Sequence, residues 1–338
     1  MTACSLRPPA SEPTLRWQQI PPLPDPVGLA SAFAGVSGGA LIVGGGANFP
    51  DKLPWEGGTK IWHDQVFVLE RAEETWRSGF KLPVPGGYGI SVNYKDEIIC
   101  IGGSDSKKHL TNVYSLQWKR GELLTRNLPS LPLPIANACG ALLGDFVYVA
   151  GGTETHESTT TLRKCFHLNL SRLNDGWEEL EPWPGPARML SVAAAVDGSF
   201  FLVGGTDLSP GPDGAPVRTY LKDAYRFTPQ RGWKKISDLP HPVVAAPSPA
   251  PTVGDASFLV VGGDDGSLAN FQPRSKHPGF PKTVLRYDVR DDAWRAAGET
   301  PAARVTVPVT RWNNWFVIPS GEMRPGVRSP KVWALQAD

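Results

Sequence analysis

The sequence predicts an all-β chain of six repeated units, on three observations. Apolar runs ending in paired glycine recur at Gly44-Gly45, Gly102-Gly103, Gly151-Gly152, Gly204-Gly205 and Gly262-Gly263, and Ser320-Gly321 falls in phase with them. The steps between first members are 58, 49, 53, 58 and 58 residues, a period that marks a propeller or a solenoid. Trp17, Trp76, Trp177, Trp233 and Trp294 each have a proline seven residues later, at Pro24, Pro83, Pro184, Pro240 and Pro301. Finally, no useful length of the chain has helical period, whereas runs such as Phe258-Leu259-Val260-Val261 are apolar on both faces. A strand sandwiched between two sheets requires that pattern.

Composition agrees. A length of 338 residues admits two domains or one large all-β unit, and repeats running through the whole chain predict one domain over residues 1–338, with 1–13 a flexible extension. The 36 Gly and 34 Pro accompany an ordinary 41% hydrophobic content, so they read as frequent turns rather than disorder. Lys plus Arg number 34 against 33 Asp plus Glu, which leaves no bulk attraction to nucleic acid or an anionic membrane. The N-terminus lacks a cationic start followed by an apolar run, and no stretch is long and apolar enough to span a bilayer, so a cytoplasmic protein is expected. Cys4, Cys100, Cys139 and Cys165 are isolated, and the last three sit in apolar strand-like contexts that predict buried free thiols.

Within a unit the order is legible. Gly89 to Tyr94 is a first strand, Lys95-Asp96 a turn, Glu97 to Gly103 a second strand ending in glycine, and Asn112 to Leu116 a third. A fourth ends near Pro132. In the other units this last strand carries the tryptophan, whose indole would pack between neighbouring units while proline stops the strand; here Thr125 takes its place. The four-stranded antiparallel meander with Gly-Gly, a later aromatic and Trp resembles the kelch repeat, which implies a six-bladed β-propeller. The last unit stops without a Trp strand, so Leu15 to Ile20 is expected to complete it and remove two exposed sheet edges.

Strand direction alternates in a meander, so loops joining second and third strands share a face with the segments leading from unit to unit. Candidate ligand-facing residues on that face are Glu322, Arg328, Arg188, Arg304, Tyr88, Asn137, Asn48 and Phe49. Two or three arginines over one mouth suit an anionic ligand; the alternative is that Glu322 and Arg328 merely pair across a loop. The six histidines show no metal-ligand spacing and read as surface or packed residues. Asp105-Ser106 and Asp264-Asp265-Gly266-Ser267 read as Asx-turns, and Arg274-Ser275-Lys276-His277 as a solvated basic loop. Trp55 and Trp62 are open between covering a ligand and packing locally.

Two segments go further. Ser320-Gly321-Glu322-Met323-Arg324-Pro325-Gly326-Val327-Arg328-Ser329 resembles the G-E-x-x-P-G-x-R-[ST] stretch of the bacterial N-acetylneuraminate (sialic acid) mutarotases, also called epimerases, and residues 32–49 are similar to the unit that follows it there. Their order is reversed here, as in a cyclically permuted member. The resemblance implies a propeller that interconverts the anomers of a small sugar acid, with no metal or organic cofactor, and it assigns function to Glu322 and Arg328. Arg328 would hold the sugar carboxylate or steady the charge developing on the ring oxygen, and Arg188 or Arg304, assigned from their place on the rim and not from the resemblance, would supply the other role, with Asn48, Phe49, Tyr88 and Asn137 as further rim residues. It also makes the periplasm the alternative compartment. A non-catalytic module binding a protein or glycan is the competing reading.

Overall fold

A computed structural model describes residues 14–337; Cys4 and the expected extension, residues 1–13, lie outside them. Six antiparallel four-stranded sheets succeed one another as blades. Blade 1 comprises Phe33–Ser37, Ala40–Gly44, Gln65–Leu69 and Arg77–Lys81. Blades 2 to 5 follow over residues 90–127, 139–180, 192–236 and 252–299. Blade 6 has three strands from the chain's end, Thr310–Trp312, Trp315–Pro319 and Val332–Ala337. Its fourth is Leu15–Ile20, paired in register from Leu15 opposite Ala337 to Ile20 opposite Val332. The expected closure by the N-terminal strand is thus observed, and two sheet edges disappear into one ladder.

The core is divided into wedges between adjacent blades, because each sheet has two faces to cover. Phe33, Ile42 and Val66 of blade 1 meet Ile98, Tyr114 and Leu116 of blade 2. Across the seam, Leu41, Val43 and Phe67 pack with Val317, Val332 and Ala334 of blade 6. Second strands are therefore largely buried, along their whole length in Ala40–Gly44, Ser199–Val203 and Ser257–Val261. Blade tryptophans do what their spacing implies. Trp76, Trp177, Trp233 and Trp294 each donate an indole N–H to a carbonyl at the outer edge of the preceding blade, those of Pro21, Pro129, Glu181 and Ser237, at 2.7–2.8 Å.

Around the axis the blades are joined by a feature the repeats did not announce. Ser31, Tyr88, Asn137, Leu190, Ala245 and Thr306, one before each blade, all adopt positive φ between 51° and 62°. Each donates its backbone N–H to the carbonyl of the preceding member at 2.6–3.0 Å, and Ser31 donates to Thr306, so the ring of six bonds is closed. A left-handed conformation costs a non-glycine residue about 1–2 kcal/mol; in return, backbone groups that would be orphaned at a crowded axis are paired. The ring surrounds a narrow 60 Å³ space and forms the floor of the wide mouth above it.

No helix among the described residues is long and apolar enough to cross a membrane. Cys100, Cys139 and Cys165 are buried free thiols, as their contexts predicted.

Candidate active site

The glycine pairs place the site. Each pair has positive φ at both residues, which turns the second strand away from the axis. In blade 1 the turning pair is Gly45-Gly46, one residue later than the repeat spacing placed it, since Gly44 still belongs to the strand. The residue after each pair bridges back to the segment leading into its own blade, which brings Ala47, Ser104, Thr153, Thr206, Asp264 and Glu322 to equivalent positions around the mouth. Blade 6 has Ser320 at the first position, with φ 71°. Its hydroxyl accepts from Leu29 N–H at 2.6 Å and donates to the Ser329 carbonyl at 2.8 Å. One oxygen thereby ties the blade 6 loop to the start of blade 1 across the seam.

That loop is a tight hairpin in which Glu322 and Arg328 are directly opposed partners. Glu322 Oε1 accepts the Gly326 N–H at 2.8 Å and Oε2 lies 3.3 Å from Arg328 Nη2. The two charges do pair, as the simpler reading held. They differ in exposure: the Glu322 side chain is 16% exposed and lines the mouth, whereas Arg328 is 3% exposed behind it. The Arg328 guanidinium stacks 4.7 Å from the Phe49 ring, and its Nε and Nη1 have no hydrogen-bond partner. Pro54 and Trp55 of blade 1 press on the hairpin tip, so a Cβ on Gly326 would lie 2.9 Å from Pro54.

The mouth is a 1090 Å³ cavity to which the loops of all six blades contribute. Tyr88 and Asn137 line it from the axial ring, and Asn137 Nδ2 donates to Thr153 Oγ1 at 3.3 Å. Asn48 does not reach it: the side chain is 1% exposed, donates to the Gly28 carbonyl and meets His63 Nε2 at 2.8 Å. Phe49 does not line the cavity; it packs against Arg328 and lies 6.0 Å from the Lys60 ammonium.

The expectation for Arg188 and Arg304 is revised. Both precede a ring residue by two positions, where the other blades carry Leu29, Gly86, Ile135 and Val243, and both side chains turn between blades. Arg188 is wholly buried; its Nη2 meets Asp223 Oδ2 at 2.7 Å and its Nη1 the Gly204 carbonyl at 2.9 Å. Burial alone would raise the Asp223 pKa, but the hydrogen bond and charge of Arg188, with the Tyr225 hydroxyl, hold it below the usual carboxylate range. Arg304 is 5% exposed and donates to the Ala303 carbonyl and Ser329 Oγ, and burial lowers its pKa. Each guanidinium is enclosed by the blade that its segment leads into.

Sequence reasoning missed residues that long loops bring to the mouth. Lys60 holds its ammonium 5.0 Å from the Tyr88 ring and 5.2 Å from that of Trp62. Among the described residues neither Lys60 nor the cavity-lining Arg218 and Arg274 forms an ion pair. His109 and His156, from adjacent blades, stand 4.7 Å apart, bonded to Thr153 and Ser104. Burial, then the charge of His156, lowers the His109 pKa to about 4. Asp264 forms the expected Asx-turn with Gly266 N–H, but it also lines the cavity. The one available signal was position, since Asp264 follows its glycine pair as Glu322 follows its own.

Comparison with known proteins decides the family. A sequence model of the N-acetylneuraminate epimerase family matches residues 9–125 and 128–272. The chain belongs to this family. Among its relatives is the N-acetylneuraminate epimerase of Salmonella arizonae, 42% identical over 123 residues, covering 32% of this chain and 31% of that protein. That of Haemophilus influenzae is 36% identical over 126 residues, covering 33% of each. The chain thus spans about a third of the length of the curated relatives it matches. The solved structure of YjhT shares the fold, with a TM-score of 0.66 and 16% identity over 94% of this chain and 99% of that one. The Glu322 hairpin lies beyond the residues matched by the family.

Proposed function

We propose that this protein is a mutarotase that interconverts the α and β anomers of N-acetylneuraminate or a related sialic acid, with Glu322 moving the proton. The observation that carries the reading is the Glu322 carboxylate itself. It is open to a cavity slightly larger than the ~300–1,000 Å³ usual for small-molecule sites, yet clamped at one oxygen by Gly326 N–H and at the other by Arg328.

The chemistry fits a single well-held carboxylate. Glu322 takes the proton of the anomeric hydroxyl, and the O–H electron pair forms the carbonyl. The ring C–O bond breaks, its electrons pass to the ring oxygen, and that oxygen receives the proton from Glu322. Rotation in the open-chain ketone presents the other carbonyl face, and the steps reverse. Arg328, buried behind Glu322, holds the carboxylate in place and keeps a positive charge beside it. Lys60, Arg218 and Arg274 make the wall attractive to the substrate carboxylate, and Tyr88 and Asn137 contact the sugar from the floor. Arg188 and Arg304 serve by holding blades together.

A cyclic permutation belongs to the same proposal. Its support is that the stretch resembling the Glu/Arg unit comes last in this chain while residues 32–49, similar to the unit that follows it in those enzymes, come first, and that the seam has the same axial hydrogen bond as every other blade junction.

The test follows anomer exchange of N-acetylneuraminate by proton NMR. The protein should accelerate it, and Glu322→Gln should remove most of the acceleration, about 10²–10⁴-fold for a lost acid/base group. Unchanged exchange with every sialic acid tested, in the presence of folded protein, refutes the reading.

A further inference from the structure

Ring opening leaves one requirement that Glu322 does not meet. While its carboxylate holds the proton from the anomeric hydroxyl, charge gathers on the ring oxygen, and a donor already aimed there lowers the barrier.

The blade 5 loop brings a histidine to the same cavity. His277 is 4% exposed and lines the same cavity as Glu322. Its ring is set between Phe271, edge-on at 5.5 Å, and Phe280 at 5.9 Å. Its Nδ1 accepts the backbone N–H of Gly279 at 3.1 Å. A nitrogen that accepts carries no proton, so the ring is neutral and its hydrogen is on Nε2. Nε2 has no partner among the described residues, whereas the other cavity histidines, His109 and His156, use theirs on Thr153 and Ser104.

The loop also leans on the Glu322 hairpin from both sides of His277. Arg324 Nη1 donates to the Ser275 carbonyl at 2.9 Å, and a Cβ on Gly279 would stand 3.1 Å from the Met323 carbonyl. Gly279 has φ of 108°, which favours glycine. The backbone group that sets the tautomer is thereby seated against the hairpin that carries the carboxylate.

We propose that His277 is a further catalytic residue, a neutral imidazole whose Nε2–H hydrogen-bonds the ring oxygen as it gains charge in opening and releases it in closure. His277 keeps its proton throughout; the transferred proton stays with Glu322 and the sugar. The inference rests on the mutarotase reading and deepens it.

Three variants separate the possibilities. His277→Phe fills the space without a donor, His277→Gln keeps an N–H, and Glu322→Gln reports on the reading itself. Loss of one such donor slows the chemical step about 10²–10³-fold, so His277→Phe should lose kcat with KM little changed, and His277→Gln should recover at least about tenfold of that loss. If His277→Phe does not fold, imidazole ¹⁵N spectra of the native protein decide. The His277 signal, assigned through its absence in His277→Gln, should show a protonated Nε2 that moves when N-acetylneuraminate is added. A kcat for folded His277→Phe within about twofold of native, with Glu322→Gln inactive, overturns the role of His277 and leaves the mutarotase reading standing. An Nε2 signal indifferent to the sugar overturns it likewise. Native protein that never accelerates anomer exchange overturns both.

Discussion

Replacing Arg188 by methionine tests whether this arginine is a girder or a ligand. The side chain is wholly buried, so the change removes the 2.7 Å pair with Asp223 and the 2.9 Å bond to the Gly204 carbonyl together. It also leaves Asp223, whose side chain is 15% exposed, with Tyr225 hydroxyl as its remaining side-chain partner on Oδ2. Removing one member of a buried pair costs about 3–5 kcal/mol. With an unfolding entropy of about 0.7 kcal/mol/K for a chain of this length, Tm should fall about 4–7 °C. Arg188→Met with Asp223→Asn should restore most of that, because the orphaned charge is gone while an acceptor for Tyr225 remains. The pH dependence has a definite sign. Asp223 is depressed in the folded state, so its contribution is present above the ordinary carboxylate pKa and is lost as pH falls below it through the folded value. Arg188→Met should lose this acid limb. Thermal scans from neutral pH to pH 3, together with KM for N-acetylneuraminate, are the assay. A Tm within 1 °C of native and a KM raised tenfold or more would show Arg188 to be a ligand group, and the structural argument would fail.

Two other perturbations follow from the site. Gly326→Ala places a Cβ 2.9 Å from Pro54 at a φ of 80°, a conformation that costs about 1–2 kcal/mol. It also shifts the N–H that holds Glu322 Oε1, so anomer exchange should slow at least tenfold for only a few degrees of Tm, and an unchanged rate would mean that Glu322 does not depend on this hairpin. His109 titrates at about 4 in the folded protein against an ordinary 6.5. Stability should therefore decline as pH falls from about 6.5 to about 4, by at most about 1.4 kcal/mol per pH unit. His109→Gln should flatten denaturant midpoints across that window; equal slopes in the two proteins would refute it.

The number of blades, their strand order and the closure by Leu15–Ile20 were legible because each rests on local pattern. Glycine pairs recur where the second strand turns with positive φ, apolar residues must cover both faces of an inner strand, and tryptophan recurs where one blade's edge meets the next. Glu322 and Arg328 were legible as well, six residues apart on one turn. The axial ring was not, since Ser31, Tyr88, Asn137, Leu190, Ala245 and Thr306 share a conformation without sharing a residue type. Once the blades close, each backbone N–H has one acceptor within reach, and geometry rather than side chain sets the φ.

Direction was the other matter that only the tertiary structure decided. Arg188 and Arg304 belong to segments that do reach the mouth, but the next blade encloses their side chains. His277 belongs to a basic run that reads as solvated, yet the Glu322 hairpin and two phenylalanines bury it with one nitrogen free. Sequence determines which backbone segments converge on the axis, because hydrogen bonding and strand period are repeated in every unit. Which side chains face the ligand depends on packing between units distant in sequence. Thr153 and His109 are separated by 44 residues and Arg188 and Asp223 by 35, and no local pattern encodes those contacts.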